Sequence, residues 1–220
     1  MTAGYRRAWL PLMKPLSDCR LYGIVDLGYV KPSDAVAMTV ALVEGGVDIL
    51  QLRAKGHSTE TVAALGELIH AVTHPAGIPL VINDHPLAAR KVGSEGVHVG
   101  QDDEAVAKAR AIVGDGCFVG KSTHSPEQAA AAQAEGADYI GFGPLYATGT
   151  KPDYTPIGLH HIAEVHAAVT LPIFCIGGVN SQRLDEIIAA GARRVVVVSA
   201  FLLAQDVRRE IRTLKERLTA

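Results

Sequence analysis

Two aspartates and the stretches around them outline the chemistry open to this chain. From Pro79 to Asp103 it reads PLVINDHPLAARKVGSEGVHVGQDD: an apolar run ending in Asn83-Asp84, an alanine-rich segment, and a second apolar run opening into Gly100-Gln101-Asp102-Asp103. This pattern predicts strand, helix, strand. A helical crossover makes the two strands parallel and brings both trailing loops to one sheet edge. Asp84 and Asp103 can then converge although nineteen positions separate them. Paired carboxylates suit Mg²⁺, a hard cation with oxygen ligands that commonly brings substrate phosphates with it. Either aspartate alone would serve as a helix cap, so the metal reading depends on the residues at the ends of the other apolar runs.

Gln51-Leu52-Arg53-Ala54-Lys55-Gly56 sets Gln51, Arg53 and Lys55 at i, i+2 and i+4, on one side of an extended chain. Two cations at a strand end call for an anion. Arginine offers phosphate a planar fork and lysine a point charge. In Lys121-Ser122-Thr123-His124, Ser122 and His124 share one parity. His124 suits either general acid–base work or a plain loop hydrogen bond. Lys121 has the other parity, a poor placement for Schiff-base chemistry, which needs a desolvated pocket position. The long stretch from Gly143 to Gly158 carries Thr148, Thr150 and Lys151 and reads as a lid or binding loop. Gly177-Gly178 and Val198-Ser199 would let a phosphate approach backbone N–H groups. Together these residues suggest two sites. Asp84, Asp103, Arg53, Lys55, Thr148, Thr150 and Lys151 suit a metal-bound diphosphate. Gly178 with Ser199 suits a monophosphate. Two phosphorylated ligands face to face imply a transferase with diphosphate as leaving group, whose growing charge the metal and cations stabilise.

The elements that must position these residues recur through the chain. Apolar runs at Leu21–Val25, Ile49–Leu52, Leu80–Ile82, Val97–Val99, Phe118–Gly120, Tyr139–Phe142, Ile173–Ile176 and Val195–Val198 alternate with alanine-rich amphipathic segments near 33–45, 59–73, 86–93, 103–113, 125–135, 158–169, 181–190 and 204–218. Eight strand–helix units with no composition break predict an α/β fold, a single (β/α)8 TIM barrel, with its chemistry at the C-terminal ends of the strands. An open doubly wound sheet is the other arrangement of such units, and the near-even spacing disfavours it. Residues 1–17 read as a tail or a lid over one end, and 18–220 as the barrel domain.

Composition narrows the function classes. A formal net charge of -2 over 220 residues gives no support for nucleic-acid binding. No apolar run is long enough to span a membrane, and Pro11, Lys14 and Pro15 interrupt the apolar part of the N-terminus, against a secretory signal. Cys19, Cys117 and Cys175 lack metal or redox spacing, and Cys117 and Cys175 sit in apolar runs that suit buried thiols, which fits a reducing cytoplasm. His160, His161 and His166 read as surface or packing residues. The expected partners are small molecules; self-association into a homo-oligomer is left open.

The segments LYGIVD, QLRAKG, INDHPLAA, GVHVGQDD, GKSTHS, GADYIGFGPLYATGTK, IGGV and VVVVSA, in that order from Leu21 to Ala200, resemble the thiamine phosphate synthase family. The resemblance implies a barrel that joins 4-amino-2-methyl-5-hydroxymethylpyrimidine diphosphate to 4-methyl-5-(2-hydroxyethyl)thiazole phosphate. It implies Mg²⁺ at Asp84 and Asp103. It implies pyrimidine-diphosphate contacts at Gln51, Arg53, Lys55, Asn83, Ser122 and Lys151, with Lys151, Ser122 and Arg53 at the catalytic centre. It moves Thr148 and Thr150 to the thiazole-phosphate site, beside Gly178, Val198 and Ser199. It further implies a dissociative substitution, in which diphosphate leaves first. Three positions depart from the family pattern: His85 stands where arginine is frequent, Lys121 where a small or apolar residue is frequent, and Gly149 where proline is frequent. A related thiazole tautomerase would use the thiazole-phosphate site and a base such as His124, without a complete metal–diphosphate site.

Overall fold

The computed structural model describes residues 13–101, 103, 105–149 and 155–219. Within them, eight parallel strands close into a barrel in sequence order: β1 (Leu21–Asp26), β2 (Ile49–Arg53), β3 (Leu80–Asn83), β4 (Gly96–Val99), β5 (Phe118–Thr123), β6 (Tyr139–Phe142), β7 (Ile173–Cys175) and β8 (Val195–Val197). The helices between them are α1 (Ala35–Gly45), α2 (Thr59–Thr73), α3 (Pro86–Val92), α4 (Val106–Val113), α5 (Pro126–Ala134), α6 (Ile162–Ala168) and α7 (Leu184–Ala189). Beyond β8 a short helix, α8 (Ser199–Leu202), precedes the final α9 (Val207–Thr219). The expected eight units are all present; α8 is an addition that the periodicity did not signal, because four residues make barely one turn.

Strand alternation divides the apolar residues between two cores. Outward positions such as Leu21, Leu50, Leu52, Leu80, Ile82, Val97, Val119 and Ile140 join the helices in one continuous cluster. Inward positions, among them Tyr22, Ile49, Val81, Tyr139, Phe174 and Val196, form a separate cluster that fills the barrel. This is the packed interior of an eight-stranded barrel, not a channel. Gly120 makes room for it: a Cβ there would lie 2.1 Å from Cζ of Tyr139.

Of the segment read as a tail or lid, residues 13–17 lie against the N-terminal end of the barrel, away from the strands' C-terminal rim. The Lys14 N–H donates to the Gly77 carbonyl at 3.0 Å, and Leu16 packs on the interior cluster. Asp48, buried just before β2, ties this base together. It accepts from the Arg20 and Leu21 N–H groups at 2.9 Å each, from Lys215 Nζ at 2.9 Å and from Lys14 Nζ. Burial by itself would raise its pKa. The donors from Lys14, Lys215 and the two backbone groups outweigh burial and hold the carboxyl below its ordinary range. Cys117 and Cys175 are buried free thiols, as their apolar settings suggest, and so is Cys19; burial pushes Cys175 up to about 12. No helix among the described residues is long and apolar enough to cross a membrane.

Candidate active site

The C-terminal rim holds a cavity whose floor is the upper layer of inward residues. Gln51, Arg53, Asn83, His98 and Ser122, from β2 to β5, line it together with Phe174, Ile176, Gly177 and Gly178, on and after β7, and Val198 and Ser199, after β8. On β2 and β3 the inward polar side chain comes two positions after an inward apolar one (Ile49 before Gln51, Val81 before Asn83), so the pleat fixes where those strands change from packed to polar.

Through the residues that line the cavity runs a chain of hydrogen bonds, with Tyr22 and Tyr139 in its middle. Gln51 Nε2 donates to Tyr22 Oη at 2.9 Å; Tyr22 Oη lies 3.1 Å from Tyr139 Oη. Tyr139 Oη lies 3.0 Å from His98 Nδ1, and His98 Nε2 lies 3.0 Å from Ser122 Oγ. Burial raises both phenol pKa values far above the ordinary tyrosine range, so both hydroxyls keep their protons. The chain therefore fixes two groups at once, the Gln51 amide and the Ser122 hydroxyl at its two ends.

Arg53 is paired. Its Nη1 donates to Asp26 Oδ2 at 2.8 Å, and the two residues are direct neighbours in the β1–β2 register. Asp26 is buried at the end of β1 and its Oδ1 accepts the Gly28 N–H at 2.9 Å. The guanidinium carries five N–H groups, so one oriented by Asp26 leaves others for an anion. The shared parity of Gln51, Arg53 and Lys55 holds only as far as Arg53. The strand ends there, and Lys55 is an exposed turn residue outside the cavity lining.

Asp84 comes directly after β3, in left-handed backbone at φ 59, a conformation unusual for a residue other than glycine. Asn83 Nδ2 donates to its Oδ2 at 2.6 Å, and its N–H donates to the His98 carbonyl at 2.8 Å. Asp103 lies beyond β4, where its Oδ2 accepts the Gly100 N–H at 2.8 Å. Because β3 and β4 are adjacent, with Asn83 opposite His98, both aspartates lie on neighbouring rim loops. The set is all oxygen, and Asp84 is not the N-cap residue of α3; that position is His85, which makes no side-chain cap hydrogen bond. Such a set fits Mg²⁺.

Thr148 also lines the cavity, while Thr150 and Lys151 lie outside the described residues. Gly178 needs its glycine twice over: φ is +70, and a Cβ would lie 2.7 Å from Arg183 Nη1 and 2.8 Å from Tyr146 Cβ. His124 lines the cavity too, with Nδ1 on the Gly143 carbonyl. Lys121 points outward, as its parity requires: it is buried with Nζ on the Gly100 carbonyl at 2.8 Å, in a separate hollow beside Gln101 and Asp103. His85 Nδ1 lies 3.5 Å from Thr59 Oγ1, and a Cβ on Gly149 would lie 3.3 Å from the Tyr29 hydroxyl.

Four residues of the site escape a search confined to the loops after the strands. Tyr22, His98 and Tyr139 lie inside strands at inward parity, and Asp26 is the last residue of β1. Parity alone would have found His98, since it shares a register position with Asn83.

Comparisons with known proteins agree with this architecture. The family described as thiamine monophosphate synthase matches residues 21–201. The thiamine-phosphate synthase of Thermobifida fusca is 41% identical over 211 residues, covering 95% of this chain and 96% of that protein. That of Chloroflexus aurantiacus is 39% identical over 199 residues, covering 90% and 92%. The thiamine phosphate pyrophosphorylase structure from Pyrococcus furiosus superposes with a TM-score of 0.84 at 28% identity, covering 93% of this chain and 97% of that one.

Proposed function

The chain belongs to the thiamine monophosphate synthase family and is a transferase of thiamine biosynthesis, and on that premise we propose how its rim divides the two substrates. The observation that carries the proposal is the two-sided cavity. Polar inward residues of β2 to β5 line the same cavity as Phe174, Ile176, Gly178, Val198 and Ser199, which come from β7 and the turns after β7 and β8. Gln51, Arg53, Lys55, Asn83, Ser122 and Lys151 take the pyrimidine diphosphate. Thr148, Thr150, Gly178, Val198 and Ser199 take the thiazole phosphate.

Asp84 and Asp103 would hold Mg²⁺, which would supply charge neutralisation for the departing diphosphate. The C–O bond to diphosphate breaks first, and its electron pair leaves with the oxygen. The thiazole nitrogen then donates its lone pair to the pyrimidine-methyl carbon and forms the C–N bond. Arg53, aimed by Asp26, and Lys151 meet the negative charge as it grows, which is stabilisation specific to the transition state. Ser122, held by His98, positions the pyrimidine side. A dissociative step needs no protein nucleophile, in keeping with Lys121 lying outside the cavity. Phe174 and Ile176 keep water from the cation. The enzyme works in the cytoplasm on small molecules, and residues 18–220 form its catalytic domain.

Diphosphate release tests this division. Purified protein with both substrates and Mg²⁺ should release diphosphate and form thiamine phosphate, and should release none when the thiazole phosphate is omitted. Asp84→Ala and Asp103→Ala should abolish release while keeping the fold. Full activity in both variants would remove the metal assignment.

A further inference from the structure

His70 and His74 are one helical turn apart at the C-terminal end of α2, so their rings lie side by side on one face, centroids 4.9 Å apart and planes tilted by 56°. Glu95, in the turn before β4, reaches between them. Its Oε1 lies 3.0 Å from His70 Nε2 and 3.4 Å from His74 Nδ1. Its Oε2 is held by the Leu80 N–H at 2.9 Å, and its own carbonyl accepts the Phe118 N–H at 3.0 Å, so the carboxylate is anchored on both sides. The three candidate ligand atoms lie within 4.8 Å of one another. All three side chains keep partial access to solvent, at 18%, 28% and 14% exposure.

We propose that His70, His74 and Glu95 form a binding site for one divalent transition-metal ion, zinc by ligand type, at the end of the barrel opposite the catalytic rim. Two ligands each about 2.0–2.2 Å from an ion stand roughly 3.0–3.4 Å apart for angles between octahedral and tetrahedral. The two nitrogen–oxygen separations are already at this value. The two imidazole nitrogens, within 4.8 Å of each other, would draw together around the ion. Two neutral imidazoles and one carboxylate are a nitrogen-rich set that prefers Zn²⁺, Ni²⁺ or Cu²⁺ to Mg²⁺, so the site is chemically distinct from Asp84 and Asp103. Three protein ligands leave a position for water. The Leu80–Glu95 hydrogen bond acts as the outer contact that fixes ligand orientation. An ion there would cross-link α2 to the segments that start β3 and β4. A carboxylate shared by two imidazoles could also serve as a hydrogen-bonded brace alone, and this is what the experiment must exclude.

Tag-free protein in Mg²⁺ buffer would be titrated with Zn²⁺ by calorimetry and with Co²⁺ by visible absorption. The wild type should bind one ion, show tetrahedral-type cobalt bands that zinc displaces, and melt at higher temperature with zinc than with chelator. His70→Gln/His74→Gln should lose the cobalt bands and weaken zinc binding by at least ~100-fold, with thiamine phosphate formation unchanged. Glu95→Gln, which keeps an oxygen for the Leu80 N–H, should weaken binding ~10-fold or more and serves if the double variant does not fold. Asp84→Ala should bind zinc as the wild type does. Equal binding by wild type and both His/Glu variants, or binding lost in Asp84→Ala instead, would overturn the proposal.

Discussion

The two ends of the barrel treat their carboxylates in opposite ways. At the base, Asp48 draws donors from the N-terminal segment, the start of β1 and α9, and Glu95 draws them from α2 and β3. Both carboxyls are held below their ordinary pKa range because these donors outweigh burial. At the rim, Asp84 occupies left-handed backbone, and Asp26 is arranged to aim Arg53. Carboxylates surrounded by donors from several segments hold the fold together. Carboxylates in strained backbone, or serving to direct another charge, mark where the protein works on something else.

Four substitutions or conditions would sharpen or break this contrast. The largest effect belongs to Asp84→Gly. Glycine accepts φ 59 freely, so stability should hold or rise by about 0.5–1 kcal/mol, while the turnover number falls at least ~100-fold. Chemical denaturation alongside diphosphate release reads both; a variant that loses stability and keeps activity would invert the comparison. Asp48→Ala should do the reverse. It strands two buried N–H donors and two lysines, each about a third exposed (37% and 34%). The expected loss is about 3 kcal/mol of unfolding free energy, with activity per folded molecule unchanged. Tyr139→Phe cuts the chain between Tyr22 and His98 and leaves both partners short of a bond. It should cost about 1–2 kcal/mol and lower kcat/KM roughly 10-fold through a less fixed Ser122, a loss that Ser122→Ala should not compound.

The smallest effect is in pH. Because the folded pKa of Asp48 is depressed, its stabilising contribution is complete above the ordinary aspartate range and disappears as pH falls through the lowered folded value. The stability gap between wild type and Asp48→Asn should therefore be constant near neutrality and narrow only in acid. A gap that widened on acidification would show that Asp48 is not held ionised by its donors.

Much of the rim could be read from the chain because strand parity is local. Gln51, Arg53, Asn83 and Ser122 face the cavity for the same reason that Ile49 and Val81 fill the core. Parity failed at Lys55, where the strand had already ended. It was not applied to β1, so Asp26 went unread. Thr150 and Lys151 could not be placed by it either, since alternation does not order a long loop.

What the sequence determined by itself is periodic: eight apolar runs, the amphipathic segments between them, the side each residue faces, and the order of motifs that marks the family. The tertiary structure decided the pairings. That Arg53 meets Asp26, that one hydrogen-bonded chain links Gln51 to Ser122 through Tyr22, Tyr139 and His98, and that Glu95 comes to lie between His70 and His74 all depend on barrel closure. Periodicity fixes direction within one element. Contact between elements is set by register and closure, which no short stretch of sequence contains.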